Sequence, residues 1–105
     1  MSQMKEITID LNEYSYYDDK LNLKRICTEK DGMEQLLSFL INNNMKNSSD
    51  YVKLWKEYLE LLLQWRKQSK IFEDNVVKNF TSPDATLFKW YYDFEQGELT
   101  INEIY

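Results

Sequence analysis

Residues 48–76 read SSDYVKLWKEYLELLLQWRKQSKIFEDNV, and this stretch decides the fold. Ser48-Ser49-Asp50 offers side-chain acceptors to the unpaired N–H groups of a helix start. Tyr51, Trp55, Tyr58, Leu62, Trp65, Ser69, Phe72 and Val76 then recur at alternating spacings of four and three, the repeat of a single helix face. Only Ser69 in this stripe is polar. Leu54, Leu59, Leu61 and Leu63 widen the apolar surface to nearly the full circumference near Leu61, which predicts burial on several sides. The expected helix covers about 50–80. About 30 helical residues reach ~45 Å, more than the width of a compact domain of 105 residues. Two outcomes stay open: a break near Gln68-Ser69-Lys70, or projection of part of the helix into a partner.

Towards the N-terminus, Asp31-Gly32-Met33-Glu34 has the capping-box spacing. Met33, Leu36, Leu37, Leu40 and Ile41 follow at helical intervals, and Asn42-Asn43-Asn44 ends the pattern, since Asn tolerates the left-handed conformation. A helix is expected over about 31–43. Leu21 to Thr28 sets Leu21, Leu23, Arg25 and Cys27 against Asn22, Lys24, Ile26 and Thr28, and reads as a strand. Asn12 to Lys20 is polar and tyrosine-rich, as in a turn or loop. In Lys5 to Leu11, Ile7, Ile9 and Leu11 alternate with Glu6, Thr8 and Asp10, the period of a half-buried strand.

At the other end, Phe88, Trp90, Tyr92 and Phe94 alternate with Lys89, Tyr91 and Asp93. Glu95-Gln96-Gly97-Glu98 then forms a turn, and Leu99-Thr100-Ile101 with Ile104 returns, as in a β-hairpin. A helix capped by Ser82 with Pro83 at its first position competes with this reading, but the aromatic and β-branched content favours the hairpin. The expected fold is a single α+β domain over residues 1–105. A small antiparallel sheet from the N- and C-terminal strands carries two central helices, about 31–43 and 50–80, packed on one face.

The residue inventory removes several functions. There is no histidine and only one cysteine, Cys27. Ser-His and Cys-His nucleophilic systems, imidazole ligands, a Cys-rich zinc site and an internal disulfide therefore have no residues to build them. Gly32 and Gly97 are the only glycines, too few for a phosphate cradle. The paired carboxylates Asp18-Asp19 and Glu73-Asp74 point apart on a strand or a helix, so they read as solvated charge. Asp10, Glu13, Asp18 and Asp19 do not follow a calcium-loop spacing. Cys27 lacks a base and reads as a core thiol on the strand face of Leu21 and Leu23. No catalytic residue, cofactor or metal is expected.

No run of ~18 apolar residues exists, and Met1 to Leu11 has no signal-peptide pattern, so no membrane segment and a cytoplasmic location are expected. The sequons Asn47-Ser48-Ser49 and Asn79-Phe80-Thr81 then carry no meaning. Net charge is −5, which disfavours direct nucleic-acid binding. Lys46 to Lys78 carries seven basic and five acidic residues, a net of +2. Its cluster Arg66-Lys67-Lys70 is spaced for one helical face that could touch phosphates, and a solvated helix face explains it as well.

The acidic residues point further. Asp10, Glu13, Asp18 and Asp19 surround Tyr14, Tyr16 and Tyr17 with no basic residue among them, and Asp93, Glu95, Glu98 and Glu103 repeat this near the C-terminus. If the two ends share a sheet, these acids form one tyrosine-studded negative surface, suited to a basic protein partner. In size and acidity the chain resembles small inhibitors of restriction or CRISPR nucleases, a resemblance of class and not of motif. The expected function is a non-enzymatic binding module, an inhibitor or immunity-type protein. The alternative is a self-associating scaffold, dimerising through Trp55, Tyr58, Leu62, Trp65 and Phe72.

Overall fold

The computed structural model describes residues 3–45 and 48–105. Lys46, and Asn47 with the first sequon, lie outside the described residues, as do Met1 and Ser2. The chain is α+β: strand β1 (Met4–Asp10), helix α1 (Tyr17–Asn42), helix α2 (Ser49–Asn75), and strands β2 (Leu87–Asp93) and β3 (Glu98–Ile104). Single 3₁₀ turns occupy Leu11–Glu13 and Val77–Asn79. By contacts the chain divides into two compact units, Lys20–Ile71 and the segments on either side of it.

The sheet is antiparallel with order β1-β3-β2, so the last strand lies between the first and the hairpin partner. Ile7 and Ile9 pair with Ile101 and Leu99, which pair in turn with Trp90 and Tyr92. This face is the core side, where Leu99 and Ile101 are fully buried. Phe72, Val76 and Val77 are also fully buried, and the Phe72 ring meets Trp90 at 5.2 Å and Tyr92 at 5.5 Å. The hairpin of the sequence reading is present, and the competing helix from Ser82 is not.

Gly97 closes the hairpin at φ +70°, donating to the Asp93 carbonyl at 2.8 Å. A Cβ there would collide with the Asn12 carboxamide, which donates to the Gln96 carbonyl at 3.0 Å. The Leu11 N–H reaches the Gly97 carbonyl at 2.8 Å. A glycine at this position thus lets the turn after β1 sit on the hairpin turn.

The helices differ from their expected bounds. Residues 17–28, read as loop and strand, lie in the first half of α1. The buried positions explain this: Leu23, Ile26, Leu37 and Leu40, with half-buried Lys30, Met33 and Glu34 between them, follow one helical stripe. A strand would have put Ile26 on the polar face with Asn22 and Lys24. Asp31 and Glu34 are therefore mid-helix, not a cap. Helix α1 does end where the asparagines predict, with Asn44 at φ 58° and the Asn43 carboxamide on the Phe39 carbonyl at 2.8 Å.

Ser48 caps α2, its hydroxyl oxygen accepting from the Tyr51 N–H at 3.1 Å. The helix runs unbroken through Gln68-Ser69-Lys70 and stops at Asn75, short of the expected 80. Its 27 residues span ~40 Å. Consecutive helical side chains lie ~100° apart, so leaving the helix at Val76 lets both Val76 and Val77 point inward.

Within Lys20–Ile71 the two helices lie side by side, joined by a polar chain. Lys30 bonds Asp31 at 3.0 Å and Glu34 at 3.2 Å. The Tyr58 hydroxyl donates to Glu34 at 2.7 Å, and the Lys30 ammonium sits 5.2 Å from the Trp65 ring centre. Burial alone would lower the Lys30 pKa, but the bonds to Asp31 and Glu34 outweigh it and raise it.

Candidate functional surface

The strand register brings three carboxylates into one line. Asp10 ends β1, Glu98 opens β3 and Asp93 ends β2, and Glu98 pairs with both of the others. Their parity is that of Met4, Thr8, Leu87 and Tyr91, opposite to the core residues Leu99 and Ile101. Met4, Leu87 and Tyr91 are exposed, so this sheet face is open. Like charges directly opposite each other destabilise a sheet, and here two such pairs share one residue.

Two of the three acids also have local bonds. Asp10 accepts from the Asn12 N–H at 3.0 Å. Asp93 accepts from the N–H groups of Glu95 at 3.0 Å and Gln96 at 3.2 Å. Among the described residues, no hydrogen bond or ion pair compensates the Glu98 side chain. The field of the row extends to the Tyr92 phenol, whose pKa is raised by burial first and then by Asp10 and Asp93. Glu13 and Glu95, both exposed, flank the row in the 3₁₀ turn and the hairpin turn.

The remaining candidate residues follow on the same connection. Tyr14 packs edge-on against Phe80 at 5.1 Å and stacks on Tyr16 at 6.2 Å. Tyr16 adopts φ 45°, uncommon for an aromatic residue, and its hydroxyl accepts from the Asn79 carboxamide at 3.2 Å. Tyr17 is 74% exposed. Asp18 and Asp19 stand in the first turn of α1, where carboxylates oppose the helix dipole, and Asp19 accepts from Asn75 at 3.1 Å.

Several sequence assignments change. Glu103, grouped with the exposed acids, is fully buried. Its carboxylate accepts from the Tyr105 hydroxyl and from the Ser82 N–H at 3.3 Å. It shares the parity of Leu99 and Ile101, so strand register decides its fate. Of the expected dimer stripe, Tyr58 and Trp65 bond or pack across to α1 and Phe72 is in the core. Trp55 of that stripe is exposed, and so are Val52, Leu59, Leu63 and Ile71, which lie outside it. Cys27 is half-buried on a helix and not on a strand. Burial raises its pKa despite a hydrogen bond from Trp65. Glu73 and Asp74 diverge, Glu73 accepting from the Trp90 indole at 3.2 Å and Asp74 pairing with Lys78 at 2.8 Å.

The fold also sorts charge. Counted over the sequence, the sheet unit holds twelve acids and three bases, a net of −9, while Lys20–Ile71 holds six acids and ten bases, a net of +4. Among the described residues, no group of three carboxylates or thiols has a metal-holding arrangement, and no helix is long and apolar enough to cross a membrane. The chain matches no known protein family, no curated protein and no solved structure.

Proposed function

We propose that this chain is a non-enzymatic binding module that presents the acidic end of its sheet to a basic protein partner. The observation that carries the reading is the row Asp10–Glu98–Asp93, three carboxylates in direct cross-strand register on an open face. Strands lie ~4.8 Å apart, so the row spans ~10 Å, and Glu13 and Glu95 extend it. That density approaches one charge per ~3.4 Å along a nucleic-acid strand. The narrower reading is an inhibitor or immunity-type protein that occupies the basic groove of a nucleic-acid-handling enzyme, such as a restriction or CRISPR nuclease. Tyr14 and Tyr17, exposed beside the acids, add contact area at low entropy cost.

The test is binding and inhibition across a panel of basic nucleases, with wild type and a Glu95→Lys/Glu98→Lys variant. A salt-dependent on-rate that falls at least tenfold in the variant supports the proposal. Equal association by wild type and variant refutes it.

A second reading, self-association through α2, is favoured by the exposed stripe Val52, Trp55, Leu59 and Leu63. Light scattering on wild type and Leu59→Asp tests it. A dimer that persists at high salt and dissociates in the variant supports it, and a wild-type monomer rejects it.

A further inference from the structure

A second charged site lies in the helical unit, with the opposite sign. Asn22 and Arg25 of α1 and Gln64, Lys67 and Gln68 of α2 line a groove of about 310 Å³, together with buried Ile26 and exposed Ile71. Among the described residues, no carboxylate lines it. Arg25 and Lys67 have no ion-pair partner among the described residues. Lys30 and Lys78, by contrast, are each held by a carboxylate. The expected cluster Arg66-Lys67-Lys70 is divided here, because Arg66 lines a separate apolar groove with Leu59, Leu62 and Leu63.

We infer that this groove is an anion site that takes a phosphate monoester or inorganic phosphate, bound between Arg25 and Lys67. Two like charges on facing helices repel each other, and an anion between them reverses that term. Arg25 brings a planar fork of donors and Lys67 a compact charge, while the carboxamides of Asn22, Gln64 and Gln68 add neutral N–H donors. A carboxylate has two oxygens and fills the arginine fork alone. A phosphoryl dianion has enough acceptors for both cations and the amides, and its double charge matches theirs. The site does not rest on the acidic sheet end, which belongs to the other unit.

The probe is inorganic phosphate, titrated into the full chain at constant ionic strength and followed by amide NMR. Saturable shifts confined to residues 22–26 and 64–71, with the side-chain amides of Gln64 and Gln68 among them, are expected. Arg25→Gln and Lys67→Gln each weaken binding about tenfold or more, while Lys53→Gln leaves it within about twofold. These are surface exchanges, and an unchanged melting curve shows that each variant is folded. A nucleoside monophosphate that binds like phosphate, with a single-stranded oligonucleotide no tighter per phosphate, supports a small phosphomonoester as the source. Non-saturating shifts, shifts spread over all lysines, or oligonucleotide binding with phosphate silent would each overturn the proposal.

Discussion

Glu98→Gln removes the central charge of the acidic row while keeping the side chain's shape. Glu98 has Asp10 on one side and Asp93 on the other. At ~6 Å in water two carboxylates repel by ~0.7 kcal/mol before screening. Two relieved pairs give ~0.5–1.5 kcal/mol of added stability at low salt, within the range for cross-strand like-charge pairs. For a domain of this length ~1 kcal/mol corresponds to ~4–6 °C in Tm. The variant should therefore melt about 3–6 °C higher than wild type in ~10 mM salt, and most of the gain should vanish in ~1 M salt, where the Debye length is ~3 Å. Differential scanning calorimetry at both salt levels reads this. Glu6→Gln is the control, since Glu6 is in register with Asn102 and, through it, with Lys89, and it should gain nothing. A Glu98→Gln Tm that is unchanged at low salt, or raised equally at both salts, would refute the reasoning. The gain should coincide with weaker partner binding, because the strain is relieved at the proposed surface.

Phe72→Ala should cost ~3–5 kcal/mol in urea unfolding, since the ring is fully buried against Trp90 and Tyr92, whereas Trp55→Ala, at a position 42% exposed, should cost less than half of that. The Cys27 thiol, its pKa raised chiefly by burial, should react with iodoacetamide several-fold more slowly than a free cysteine at pH 8, and equal rates would contradict the assigned environment. The Tyr58 bond first, and Lys30 second, lower the Glu34 pKa from its ordinary 4.5. The stability it contributes is thus present above pH 4.5 and lost as pH falls below it, so melting curves of Glu34→Gln should be flatter than wild type between pH ~5 and ~3. Tyr58 has its pKa raised above 10.0 by the same bond, so that contribution is also lost as pH rises past 10, which Tyr58→Phe should abolish.

Much of the fold was legible along the chain. The alternation in 5–11 and 88–94, the turn at Gly97, the cap at Ser48 and the asparagine stop at 42–44 each depend on neighbours a few residues away. So the α+β class, both terminal strands and the core of α2 follow from periodicity and turn chemistry. All ten candidate surface residues were named from the sequence, conditional on the two chain ends sharing a sheet, and the strand register sets three of them, Asp10, Glu98 and Asp93, in one line.

What only the tertiary structure decided depends on partners far apart in sequence. Leu23 and Ile26 belong to a helix because their stripe continues through Leu37 and Leu40, which a short alternating window conceals. The pairing of β1 with β3 sets Asp10 beside Glu98, and the same register turns Glu103 inward to meet Tyr105 and Ser82. Strand side chains have a period of two, so one register places one acid on an open face and another, five residues later, in the core. Helix–helix contact likewise consumes Tyr58 and Trp65 and sets Arg25 and Lys67 on the lining of one groove. Local sequence carries propensity and charge, but which side chains meet is a property of long-range packing.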